Sequence, residues 1–129
     1  MPVTYQIDRA KQLVRTRCAG AATLDEVLQH FSVLTQDPNC PEQLHVLLDL
    51  SEMTSLPASE QLRAVALEIG RIVPRVKFLN CAIIAPRDAL FGMARMFEVF
   101  AEEWFEATRV FRTREEGLRW LESPAVPLK

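Results

Sequence analysis

The chain has 129 residues, 49% hydrophobic and 25% charged, with 15 Lys and Arg against 17 Asp and Glu for a net charge of −2. These values belong to an ordinary globular domain and exclude disordered, collagen-like and coiled-coil chains. A near-neutral chain has no global field to gather nucleic acid or an anionic membrane, and no apolar run approaches the roughly 18 residues of a membrane span. The N-terminus also lacks the basic-then-apolar order of a signal peptide. The expectation is a cytoplasmic protein that binds no nucleic acid and does not insert stably into a membrane.

Thr4 to Ile7 alternates, Asp8 to Lys11 is a polar connection, and Leu13 to Cys18 alternates again, which predicts a hairpin. Val14, Thr16 and Cys18 share one face of its second strand, and Arg15 and Arg17 the other. Gly20 closes that strand. Thr23-Leu24-Asp25-Glu26 has the form of a capping box, and Leu24, Val27, Leu28, Phe31 and Leu34 then recur at helical spacing until Asp37-Pro38. His45 to Leu50 is a short apolar run suited to a strand buried on both faces.

Ser51 to Pro57 is expected to turn the chain into a second helix from about Ala58 to Ile72. Lys77 to Ala85 forms the next covered strand, and Asp88 caps a third helix extending to Trp104. A strand over Ala107 to Arg112 precedes Thr113-Arg114-Glu115-Glu116, a second capping-box pattern that opens a helix carrying Leu118, Trp120 and Leu121. The order is ββαβαβαβα: one α/β domain over 1–123, a mostly parallel mixed sheet of about five strands, and a C-terminal tail over 124–129.

Local chemical motifs are missing from this chain. Gly20, Gly70, Gly92 and Gly117 are too scattered for a P-loop or a dinucleotide fingerprint, and neither G-x-S-x-G nor H-E-x-x-H occurs. Cys18, Cys40 and Cys81 are odd in number and contain no C-x-x-C, so they form no disulfide framework. Cys81 reads as a buried small hydrophobe and Cys40 as an exposed loop thiol. His30 and His45 share no metal-ligand spacing with any Cys. No metal, cofactor or catalytic residue is expected. An enzyme would need a dispersed set such as His45, Asp49, Ser51 and Asn80 to converge in one cleft.

One segment suits a ligand or partner. Asp49-Leu50-Ser51, continuing to Ser59, lies at the carboxyl end of a parallel strand and leads into a helix, where open α/β sheets bind their ligands. These residues also suit ordinary turn and cap duties.

Leu48-Asp49-Leu50-Ser51 ahead of the second helix, and the ending Val110-Phe111-Arg112-Thr113-Arg114-Glu115-Glu116-Gly117-Leu118-Arg119-Trp120-Leu121, resemble the STAS family. Together with the element order they point to its SpoIIAA-like branch, whose chains often finish V-F-x-x-x-x-E-A-x-x-W-L. The resemblance implies a mixed sheet with helices against it and a role in protein–protein recognition. In lipid-carrier relatives of similar shape (CRAL-TRIO-like) it implies binding of a small apolar ligand. The family's phosphorylated D-S-S-G motif aligns with Pro57-Ala58-Ser59-Glu60, which keeps only Ser59. Ser59 is therefore the candidate phosphorylation site, at a helix start that favours a phosphate and beside a Glu60 that opposes one, and the switch is expected to be lost.

The third helix carries more apolar residues than one buried stripe requires: Leu90, Phe91, Met93, Met96, Phe97, Val99, Phe100 and Trp104 among them. The surplus must meet a neighbouring helix, a second copy of the chain or an apolar ligand, with Phe91, Met93, Met96 and Phe97 as the surface. A homodimer is expected. Arg9, Lys11, Arg15 and Arg17 make the hairpin basic, and Arg15 and Arg17 are read as guards against edge-to-edge strand pairing. The resulting expectation is a non-catalytic STAS-like binding or regulatory module acting on a protein partner through Asp49, Ser51, Ser59 and the third helix.

Overall fold

The opening alternation closes into an antiparallel hairpin of β1 (Val3–Asp8) and β2 (Leu13–Gly20), with Tyr5 opposite Thr16 and Gln6 opposite Arg15. The computed structural model describes residues 3–54, 63–64, 67, 77–100, 102 and 105–122. Gly20 ends β2 at φ 59°, a left-handed conformation that a side chain would strain. Helix α1 (Leu24–Gln36) starts on a complete capping box: the Glu26 amide donates to Thr23 Oγ1, and the Thr23 amide donates to Glu26 Oε1. Such a cap contributes about 1 kcal/mol.

Strands β3 (Gln43–Met53), β4 (Lys77–Ile84) and β5 (Ala107–Phe111) alternate with helices α2 (Asp88–Phe100) and α3 (Arg114–Glu122). The sheet order is β1-β2-β3-β4-β5, antiparallel at β1–β2 and parallel thereafter. Right-handed crossovers that always step the same way place their helices on one face. Accordingly Val27, Phe31 and Leu34 of α1 and Ala94 and Phe97 of α2 share a core with Val14, Cys18, Val46, Leu48, Cys81 and Ile83. Of the three described helices only α3 crosses to the other face, where Leu121 meets Leu13, Leu47, Ala82 and Ile84. A β-carbon on Gly117 would stand 2.6 Å from Ile84 Cδ1, so the bare glycine lets α3 lie close.

The chain is thus a single small α/β domain with a five-stranded mixed sheet, and three helices among the described residues. Three expectations change. β3 runs on to Met53, so Ser51 lies within a strand and not in a turn, because β2 continues to Gly20 and keeps pairing with it. β2 is an interior strand bonded on both sides, which removes the edge-guarding role given to Arg15 and Arg17. The third expected helix ends at Phe100, and Trp104 lies outside the described residues, as do the 124–129 tail and most of the expected 58–72 helix. No helix among the described residues is long and apolar enough to cross a membrane.

One buried polar contact ties the hairpin to α1. His30, 6% exposed, places Nε2 2.8 Å from Thr16 Oγ1, with its ring between Tyr5 and Phe31. Its Nδ1 has no hydrogen-bond partner among the described residues, so we assign the neutral Nε2–H tautomer, which donates to Thr16. A second proton would add a buried donor with nothing to accept it, and burial lowers the His30 pKa to about 4. The unfolded chain then binds more protons than the folded one between pH 4 and 6.5, so stability rises with pH across that window. Moving from pH 7 to pH 4 is expected to cost about 3 kcal/mol through this residue alone. Urea titrations at both pH values check this, and His30→Leu must flatten the difference.

Candidate functional site

A register shift on β3 builds the site. Arg17 pairs with Asp49 and Ala19 with Glu52, so β3 carries one residue more than β2 across this interval. Such a bulge reverses the facing of everything beyond it. Asp49 points to the α3 face, and after the bulge Glu52 points there as well, while Met53 turns into the core under α1 and α2. Without the extra residue Glu52 would face the opposite layer.

Asp49 is 5% exposed and both of its oxygens are engaged. The Ser51 amide donates to Oδ1 at 2.9 Å across the bulge, and Arg114 Nη2 donates to Oδ2 at 2.8 Å. Burial by itself would raise this carboxyl, but the hydrogen bonds from Ser51 and Arg114 and the guanidinium charge outweigh it and hold the pKa below the ordinary carboxylate range. Arg114 is the first residue of α3, whose cap Thr113 accepts from the Glu116 amide. A cation at that position works against the helix dipole, and the buried carboxylate in front of it compensates.

Next to this pair Arg17 is hydrogen-bonded to Glu52, both about half exposed. The side chain of Arg15, one step back along β2 on the same face, has no ionic or hydrogen-bonding partner among the described residues. Thr4, Gln6, Arg15, Arg17, Leu47, Asp49 and Arg114 line a groove of about 340 Å³ between α3 and the bare face of the hairpin. Three guanidiniums and the Asp49 carboxylate line it, and Glu52 adds a second carboxylate as the partner of Arg17. The groove lies across the middle of β1, β2 and β3, closed on one side by the start of α3.

The other expected residues lie elsewhere. His45 shares the Asp49 face but is four residues away, about 13 Å along the strand, and its Nδ1 accepts from the Asn80 amide. His45, Asn80 and Asp49 therefore do not converge. Cys18 and Cys81 are buried on the α1–α2 face, burial pushing the first up to about 12 and the second higher. Cys40 is a free thiol in a loop, as expected, but half-buried against the core and not exposed. Among the described residues no cluster of three or more His, Cys, Asp or Glu is placed to hold a metal.

On α2, Phe97 is core, and Phe91 and Met93 are half-buried against it. The Arg112 guanidinium lies 4.1 Å from the Phe91 ring centroid and covers that ring from the solvent side. Met96 and Val99 are exposed, at 39% and 62%. Ser59 lies outside the described residues. Sequence reasoning singled out Asp49 but missed its partner Arg114; the signal available was an arginine in the first turn of a capped helix, where an acid is the rule.

No protein-family model matches the chain, and neither does any curated protein or solved structure.

Asp49→Ala removes the acceptor for both the Ser51 amide and Arg114 and is expected to cost about 2–3 kcal/mol. Asp49→Asn keeps an acceptor for Ser51 and should cost about 1 kcal/mol. Because the folded carboxyl titrates lower than the unfolded one, this contribution is present above the ordinary carboxylate pKa and fades as pH falls below it. Chemical denaturation of both variants at neutral and acid pH measures the difference.

Proposed function

We propose that this chain is a non-catalytic STAS-like binding or regulatory module that works through protein–protein contacts at the arginine-lined groove. The observation that carries this reading is the groove itself: polar and charged side chains gathered on a sheet face that α3 leaves open. The hairpin opening, the three parallel strands after it and the closing Val110–Leu121 segment agree with the family layout. Recognition is favoured over chemistry because Asp49, the most buried acid in the groove, has both oxygens occupied and the His45 ring is far from it. Interfaces are also enriched in arginine.

The test is affinity capture from the native host with the wild-type chain and with an Arg15→Glu/Arg17→Glu variant, both first checked for folding by circular dichroism. A protein retained by the wild type and lost by the variant is the expected outcome. Identical proteins on both baits would refute a groove-based contact.

We also propose that a second copy packs on the helical layer, because Val33 of α1 and Met96 and Val99 of α2 are large apolar side chains left in solvent. Light scattering is expected to return the mass of a dimer that Met96→Glu halves. A wild-type chain that stays monomeric at every concentration would overturn this.

A further inference from the structure

The groove differs from an ordinary small-molecule pocket. Such pockets are deep, mainly apolar and enclose most of their ligand. This one lies open along the hairpin, with Thr4, Gln6, Arg15 and Arg17 at its surface and Arg114 60% exposed at its side chain. Its pattern is that of a strand. Arg15 and Arg17 are two residues apart on β2, so their stems are about 7 Å apart, the same repeat that separates alternate side chains of any extended peptide.

The two acids in the site are not equivalent. Asp49 is buried, bonded on both oxygens, and fixes Arg114. Glu52 is 53% exposed and bonded to a half-exposed Arg17. Exposed pairs of that kind contribute about 0–1 kcal/mol and exchange readily for another carboxylate. Arg15 waits beside it with no counter-charge among the described residues.

Building on the recognition role above, we propose that the groove takes an acidic, extended peptide segment whose alternate carboxylates pair with Arg15 and Arg17, with Arg114, held by Asp49 opposite Arg17, flanking them. Glu52 is the internal carboxylate that holds Arg17 until the segment displaces it. The charge excess of the groove, three guanidiniums over two acids, is complementary to such a segment, and arginine forks grip carboxylates with defined geometry.

The probe is a peptide of alternating Glu and Val, compared with its Gln–Val counterpart, with succinate and with inorganic phosphate, each titrated into the labelled whole chain and followed by NMR. The Glu–Val peptide is expected to shift the signals of Arg15, Arg17 and Arg114, and added salt to weaken it. Glu52→Gln should tighten binding about two- to fivefold, and Arg15→Gln should weaken it by a similar factor. Both are exposed-site variants, and unchanged thermal unfolding confirms their fold. Equal response to the Gln–Val peptide, or no gain from Glu52→Gln, overturns the proposal. So does a groove saturated by phosphate or succinate that ignores the peptide. If the peptide fails while the Arg15→Glu/Arg17→Glu bait still loses a captured protein, the acidic-segment inference falls and the recognition role stands.

Discussion

The contact on which this face of the molecule depends is the buried carboxylate of Asp49. A charge taken out of water is tolerated only when its oxygens are satisfied, since each unmet bond costs on the order of 1–3 kcal/mol or more. Here one oxygen is satisfied by the bulged backbone of β3 and the other by the first residue of α3. A single side chain thus links a local irregularity of one strand to the docking of a helix 65 positions further along the chain. The bulge re-aims Glu52, and the helix start delivers Arg114. Loss of the carboxylate would loosen both sides of the groove together.

The open face itself is a consequence of topology and size. Every crossover between the parallel strands steps in the same direction, which leaves the second face of the sheet to be covered from the chain beyond β5. That chain supplies α3, nine residues long. A helix about 10 Å wide spans roughly two or three strands at their 4.8 Å spacing. It covers β3 to β5, and Lys11–Glu122 ties its far end to the hairpin turn. Beyond Leu13, which packs under Leu121, the groove side of β1 and β2 is left to Thr4, Gln6, Arg15 and Arg17. This is why Arg15 and Arg17 stand in the open although β2 lies inside the sheet.

Most of the framework was legible because its causes are local. Thr23 and Glu26 announce α1, the alternation from Thr4 to Cys18 announces the hairpin, and the apolar runs at Val46–Leu48 and Cys81–Ile84 are buried on both faces as their composition demands. The site was legible only in part. Asp49 stands out as an acid in an apolar strand, but its partner lies on another element, and no local rule predicts that Leu50–Ser51 would be accommodated as a bulge opposite Cys18. Extending β3 to Met53 depended on Gly20 still pairing with it, a tertiary fact that overrode the turn-forming character of Ser51. The apolar surplus of α2 was readable in number but not in destination: Phe97 went into the core, Phe91 under Arg112, and Met96 and Val99 into solvent.

The proposed recognition role rests on the separation of fixed from exchangeable charge. A general base must keep a lone pair for its substrate and hold a pKa near the working pH. Asp49 does the reverse, with its pKa pulled down and both oxygens committed, and the thiols Cys18 and Cys81 are pushed up on the opposite face of the sheet. The groove retains arginine in exchangeable form, a side chain that cannot act as a proton donor or acceptor at physiological pH but pairs with carboxylates through a rigid fork. Side chains of that kind discriminate between surfaces by charge and spacing. The buried pair holds the geometry, and beside it Arg17 and Glu52 make a half-exposed pair with Arg15 exposed next to them.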